Sequence, residues 1–131
     1  MRFLIIDDDE TVHMYLTQLL EPYARCETVF NGTEAIDVFK KAVKDKDPFD
    51  TIFMDILMPE MDGHAATQKL RDLEKELGLY GPEEFKLVMI TSLNDTKNVS
   101  QAFFKGYASC YIVKPFSKVG VLNELRENNI L

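Results

Sequence analysis

Apolar positions recur in two rhythms along the chain, and the alternation between them sets the expected architecture. Arg2 to Ile6 is apolar at its centre without alternation, the pattern of a strand buried on both faces. A helix follows from Thr11 to about Pro22, with Val12, Leu16, Leu19 and Leu20 forming one apolar stripe. Asp9 or Glu10 would support its amino end through the helix dipole. Arg25 to Val29 reads as a second strand, Asn31-Gly32 as a turn, and Thr33 as the cap of a helix from Glu34 to about Lys44. That helix carries Ala35, Ile36, Phe39 and Val43 inward, and Lys44 to Pro48 reads as a solvated charged connector. Phe49 to Asp55 is the third strand. It opens a Leu57–Gly63 loop in which Gly63 is expected to take an unusual backbone angle.

The remainder repeats the rhythm. A third helix runs from His64 to Leu77 with Ala66, Leu70, Leu73 and Leu77 inward, and a long Gly78–Glu84 loop leads to a strand at Leu87–Ile90. Asn94 or Asp95 caps a fourth helix, with Val99, Ala102 and Phe103 toward the sheet and Gly106 at its end. The last strand is Cys110–Val113 and the last helix runs from Ser117 to about Asn128, burying Val121, Leu122 and Leu125. Five βα units in succession predict an α/β fold: a doubly wound, five-stranded parallel sheet between two layers made by five helices. No linker, internal duplication or low-complexity tract divides the chain, so residues 1–131 are expected to form one domain.

Composition narrows the function classes. At 131 residues and 46% hydrophobic content the chain suits a single core. Its 22 acidic against 15 basic side chains give a net charge of −7, which argues against a nucleic-acid-binding surface. Cys26 and Cys110 have no Cys or His at metal-binding spacing and read as buried thiols, which fits a cytoplasmic location. Because the chain opens directly on a strand, no signal peptide is expected, and no apolar run approaches the roughly 18 residues that a membrane span needs. His13 and His64 read as surface helix residues; Phe39, Phe103, Phe104 and Phe116 read as mostly core, with Phe104 a candidate for an exposed face.

The chemistry lies where the strands stop. One ends on Asp7, Asp8 and Asp9, one on Asp55, one on Thr91 and Ser92, and the last on Lys114-Pro115. Ligands of open α/β sheets bind beyond the carboxyl ends of the strands. If the first and third strands are neighbours, Asp7, Asp8 and Asp55 converge, and three close carboxylates call for a hard divalent cation, for which Mg²⁺ is the natural candidate. A carboxylate beside Mg²⁺ can act as a nucleophile toward phosphorus. The metal, the Lys114 ammonium and the Thr91 hydroxyl with nearby backbone N–H groups would then neutralise three phosphoryl oxygens. The Lys114-Pro115 bond is expected to be cis.

These pieces together resemble the receiver domain of two-component response regulators, and among them the single-domain chemotaxis type. The resemblance rests on Phe3-Leu4-Ile5-Ile6-Asp7-Asp8, Met54-Asp55-Ile56-Leu57-Met58-Pro59 with Met61-Asp62-Gly63, Ile90-Thr91-Ser92, and Tyr111-Ile112-Val113-Lys114-Pro115-Phe116. It implies a flavodoxin-like sheet of order 2-1-3-4-5 and a Mg²⁺-dependent phosphoacceptor switch. Asp55 would take the phosphoryl group and also bind the metal. Asp8 would be a direct metal ligand, Asp7 would act through water, and Leu57 would contribute its backbone carbonyl. Thr91 would be the switch hydroxyl, Lys114 the salt-bridge partner and Tyr111 the aromatic switch, with small Ser92 leaving the phosphoryl group accessible. The signalling face would comprise the fourth helix, fifth strand and fifth helix.

The implied partners are a sensor histidine kinase or histidine phosphotransfer protein and a downstream protein target, with neither nucleic acid nor membrane insertion. The implied state is a monomer or a phosphorylation-dependent dimer. Such a protein is no ordinary enzyme, although it would catalyse its own phosphorylation and slow dephosphorylation. Two features depart from the commonest family pattern: the longer Gly78–Glu84 loop, and Leu57, which cannot orient an attacking water. The competing readings are a phosphorylation-independent scaffold of the same fold, a receiver domain cut from a larger protein, and a phosphate-handling α/β hydrolase. The hydrolase would need a second acid–base carboxylate and a cap.

Overall fold

The computed structural model describes residues 1–58, 60–92 and 108–131. The strands are β1 (Arg2–Ile6), β2 (Arg25–Val29), β3 (Thr51–Asp55), β4 (Lys86–Ser92) and β5 (Cys110–Lys114). They form one sheet of order β2-β1-β3-β4-β5, with every adjacent pair parallel. The α-helices among the described residues are α1 (Glu10–Leu20), α2 (Gly32–Lys44), α3 (Gly63–Glu76) and α4 (Lys118–Glu127), with a short 3₁₀ turn at Gly81–Glu83. The helix expected after Asn94 or Asp95, with Phe103 and Phe104, lies outside the described residues. Among the described residues no helix is long and apolar enough to cross a membrane.

Successive side chains of a strand point to opposite faces, so each buried strand supplies both halves of the core. Leu4, Ile6, Ile52, Met54, Leu87 and Met89 pack beneath Ala35, Phe39 and Ala42 of α2 and Ala66, Leu70 and Leu73 of α3. Phe3, Ile5, Phe53, Val88, Ile90 and Ile112 pack beneath Val12, Leu16 and Leu20 of α1 and Val121, Leu122 and Leu125 of α4. Complete burial of each such side chain is worth about 1.5–3 kcal/mol, which is why β1 and β3 are apolar throughout their centres. The edge strand β2 is mostly half-exposed and correspondingly carries Arg25, Glu27 and Thr28.

Several local expectations change. Asn31, not Thr33, caps α2: its side chain accepts the Glu34 N–H at 2.9 Å, so Gly32 already belongs to the helix. Asp9 is the N-cap of α1 and accepts from the Thr11 N–H at 2.9 Å. Leu77, expected inward, is the C-cap of α3 and 41% exposed, while Glu74 of the same helix is buried. Burial of Glu74 is tolerated because its carboxylate accepts the Phe85 N–H at 2.7 Å and pairs with Arg71 at 2.7 Å. His13 is not a surface residue; it is buried against Phe30, with ring centroids 4.6 Å apart.

The connector read as solvated is pinned. Arg2 donates to the Asp47 carbonyl at 2.6 Å and to Glu27 at 2.7 Å while stacking over Phe49 at 4.4 Å, and Arg25 pairs with Asp47 at 2.8 Å. The Arg25 guanidinium holds the Asp47 carboxyl below the usual carboxylate range. Both cysteines are free thiols, and burial pushes Cys110 up to about 12, which leaves it inert as a nucleophile. The Lys114-Pro115 bond is cis, as expected.

The revised cap makes a direct prediction. Asn31→Ala should lower unfolding stability by about 1 kcal/mol, whereas Thr33→Ala should change it by less than about 0.5 kcal/mol. Urea denaturation of the two variants checks this, and equal losses would return the cap to Thr33.

Candidate functional site

Parallel register brings the four strand endings into one row. Ile6 pairs with Met54, so Asp7 and Asp55 each stand one residue beyond a matched pair. Asp55 pairs with Ile90, and Thr91 and Ser92 pair with Val113 and Lys114. The result is a cleft of about 310 Å³ lined by Asp8, Asp9, Asp55, Leu57, Ile90, Thr91, Ser92 and Lys114. Volume alone would not single it out, because the hollow between α1 and β2 beside His13 and Phe30 is about 470 Å³. Its chemistry does.

Carboxylate oxygens of Asp7, Asp8 and Asp55 all lie within 4.8 Å of one another. Asp7 and Asp55 are buried, while Asp8 is exposed at the mouth. Asp7 accepts the Asp9 N–H at 2.9 Å and faces the Lys114 ammonium at 3.2 Å. Asp55 accepts the Leu57 N–H at 3.3 Å. The Thr91 hydroxyl is buried and donates to the Ser92 carbonyl at 3.2 Å. Leu57 turns its side chain outward at the rim, 61% exposed.

The site is short of positive charge. Burial, then the neighbouring Asp7 carboxylate, pushes Asp55 up to about 7, against the opposing pull of Lys114 and the Leu57 N–H. Asp7 is also raised, chiefly by burial, although the Asp9 N–H and Lys114 oppose the shift. One lysine therefore serves two buried carboxylates and pairs with Asp7. Hard oxygen donors at this spacing, an exposed carboxylate at the entrance and excess negative charge fit a divalent cation such as Mg²⁺.

Backbone contacts behind Asp55 fix its position. Ile56 N–H donates to the Ile90 carbonyl at 3.2 Å, and Gly63 N–H donates to the Ile56 carbonyl at 2.8 Å. A Cβ at position 63 would collide with the Asp55 carbonyl oxygen and stand 2.9 Å from the Ile56 Cα. Gly63 is therefore required by close approach rather than by an unusual backbone angle. In this loop the positive φ falls on Glu60, at 68°.

Of the residues singled out in the sequence, Asp7, Asp8, Asp55, Leu57, Thr91, Ser92 and Lys114 gather here. Tyr111 does not: it is half-buried against the Leu87–Met89 side of the sheet and pairs in register with Met89. Asp9, expected to support the amino end of the first helix, caps α1 and also lines the cleft. Its signal was its place immediately before a helix.

Residues 3–126 match the profile described as the response regulator receiver domain. The chain belongs to that family. Among relatives of this receiver domain, it is 30% identical to the chemotaxis protein CheY of Halobacterium salinarum, over 95% of this chain and 92% of that one. It is 31% identical to CheY of Treponema pallidum, over 95% and 79% respectively. The receiver fold also superposes on the chemotaxis protein CheY4 of Vibrio cholerae with a TM-score of 0.75 at 24% identity, covering 96% of each chain. The flavodoxin-like sheet with order 2-1-3-4-5 is thereby established.

The raised Asp55 carboxyl links stability to pH. The native state holds this proton more tightly than the unfolded chain does. Between the ordinary carboxyl value of 3.8 and about 7, unfolding releases a proton, and stability without metal falls as pH rises. Asp55→Asn should therefore raise unfolding stability by on the order of 2 kcal/mol at pH 8 in chelator. The gain should shrink to little near pH 4. Urea titrations of both proteins at the two pH values check it; a pH-independent difference would show that Asp55 is not the strained group.

Proposed function

We propose that this receiver domain is a phosphoacceptor switch in which Asp55 takes a phosphoryl group from a sensor histidine kinase or a histidine phosphotransfer protein. The observation that carries this is the convergence of Asp7, Asp8 and Asp55 with Thr91 and Lys114 in one cleft at the strand ends. An Asp55 carboxylate oxygen attacks phosphorus. The new O–P bond forms as the donor's N–P bond breaks, and the departing imidazole keeps the bonding electron pair and takes a proton from water. Mg²⁺ would be held by Asp8, Asp55 and the Leu57 carbonyl, with Asp7 acting through water, and would supply charge neutralisation at the phosphoryl oxygens.

The chain's own groups do the rest. The Lys114 ammonium, 3.2 Å from Asp7, is placed to move to a phosphoryl oxygen. The Thr91 hydroxyl gives up its bond to the Ser92 carbonyl and turns inward to another. That movement would bias Tyr111 on β5, so that the face of β5 and α4 changes its affinity for a downstream protein. In this reading residues 1–131 act as one receiver unit, and its likeness to chemotaxis proteins makes a chemotaxis-type target the first to test.

Incubation with acetyl phosphate and Mg²⁺ should add about 80 Da to the intact mass, with loss of the addition in chelator and in Asp55→Asn. No addition to the wild type from either acetyl phosphate or a panel of phosphorylated histidine kinases would favour a phosphorylation-independent scaffold.

Leu57 at the rim offers no polar group to orient an attacking water. The phosphoryl group should persist for minutes or longer, and Leu57→Asn should shorten its lifetime roughly tenfold, about 1.4 kcal/mol of barrier. Following loss of the added mass after removal of donor measures both. A wild-type half-life of seconds would overturn this role for Leu57.

A further inference from the structure

The connection from α3 to β4, residues 77–85, exceeds the roughly 2–6 residues typical of such loops. It is also held unusually firmly. The buried Glu74 carboxylate accepts the Phe85 N–H at 2.7 Å, and the Glu74 carbonyl accepts the Leu79 N–H at 2.9 Å. Arg71 pairs with the same carboxylate at 2.7 Å and lies 3.8 Å above the Phe85 ring. The Tyr80 hydroxyl donates to the Lys75 carbonyl at 3.2 Å, and the Gly81 N–H donates to the Glu84 carboxylate at 3.0 Å. Gly78 and Gly81 take φ values of 77° and 60°, which the turns require.

This framework buries Leu79 and Phe85 while turning Leu77 and Tyr80 outward, 41% and 62% exposed. Exposed Glu76 and Glu83 flank them, and neither has an ion pair among the described residues. Lys75 is also exposed, but with Glu84 the surface keeps an acidic excess. The loop joins the carboxyl end of α3 to the amino end of β4, so it lies at the opposite end of the sheet from the carboxylate cleft. A tyrosine held by a hydrogen bond, three residues from an exposed leucine in the same restrained turn, is a pre-formed anchor, because little freedom is lost when a partner covers it.

We propose that Leu77 and Tyr80 form a second docking surface, whose occupant is a protein segment presenting an apolar pair flanked by Lys or Arg. The basic flanks complement Glu76 and Glu83. Its distance from the cleft makes this contact independent of the phosphoryl switch, so it serves to hold a partner in both signalling states.

The test is selection of a displayed random-peptide library on the full chain, followed by affinity measurement and amide-shift mapping of the selected peptides. Selected peptides should carry an apolar pair with basic neighbours and shift amides within residues 75–85. Leu77→Ser/Tyr80→Ser should weaken them at least tenfold and Glu76→Lys/Glu83→Lys several-fold; because the Tyr80 change also removes its bond to the Lys75 carbonyl, Leu77→Ser with Tyr80 intact should still weaken them several-fold at an unchanged unfolding midpoint. Affinity should be the same with and without Mg²⁺ and beryllofluoride, a phosphoryl mimic. The proposal is overturned if the library yields no binder to this face, if the shifts map elsewhere, if binding survives the Leu77/Tyr80 change, or if the mimic alters affinity. Loss of phosphorylation in Asp55→Asn would leave this binding intact, so the two readings fail separately.

Discussion

Two buried carboxylates with one lysine to serve both are the constraint to which the rest of the molecule answers. Asp7 and Asp55 stand side by side because β1 and β3 are adjacent and in register. The packing that stabilises the sheet also buries both carboxylates, so their repulsion is less screened than it would be at the surface. Lys114 arrives from β5, two strands beyond β3, and pairs with the more deeply buried of the two. The remaining negative excess fits a divalent cation.

Such a site can be kept only if the backbone beneath it does not relax. The sheet supplies that rigidity through two separate apolar layers, each assembled from alternate residues of the same strands. Gly63 then seats the first turn of α3 directly against the Asp55–Ile56 backbone. In the proposed switch, the groups that move are those whose present bonds are replaceable: the Thr91 hydroxyl on a carbonyl, and a partly exposed lysine on Asp7. A rigid floor with exchangeable side-chain contacts is the arrangement that a two-state switch needs.

The opposite end of the sheet is organised by different means. There, Arg2 gathers Glu27, Asp47 and Phe49, and Glu74 gathers Arg71 and Phe85, so that charged groups fix loops that apolar packing alone would leave loose. The buried Glu74 carboxyl is raised by burial yet retained, because two donors meet it. The cleft keeps its charges undercompensated, while these clamps satisfy theirs.

The βα alternation, both apolar faces of the strands and the identity of the side chains closing the strand ends are legible in the chain alone. Those features follow from periodicity and from residues next to one another in the chain. The cap of α2 falls two residues before Thr33 because Asn31 and Thr33 are both good capping types, and only the backbone bend decides between them. Tertiary structure alone decided that Lys114 pairs with Asp7, that His13 is covered by Phe30, and that Glu74 turns inward where Leu77 was expected. Each depends on a partner distant in sequence or on where a helix stops. A hydrophobic pattern records which face is buried, but not which long-range donor will meet a buried charge.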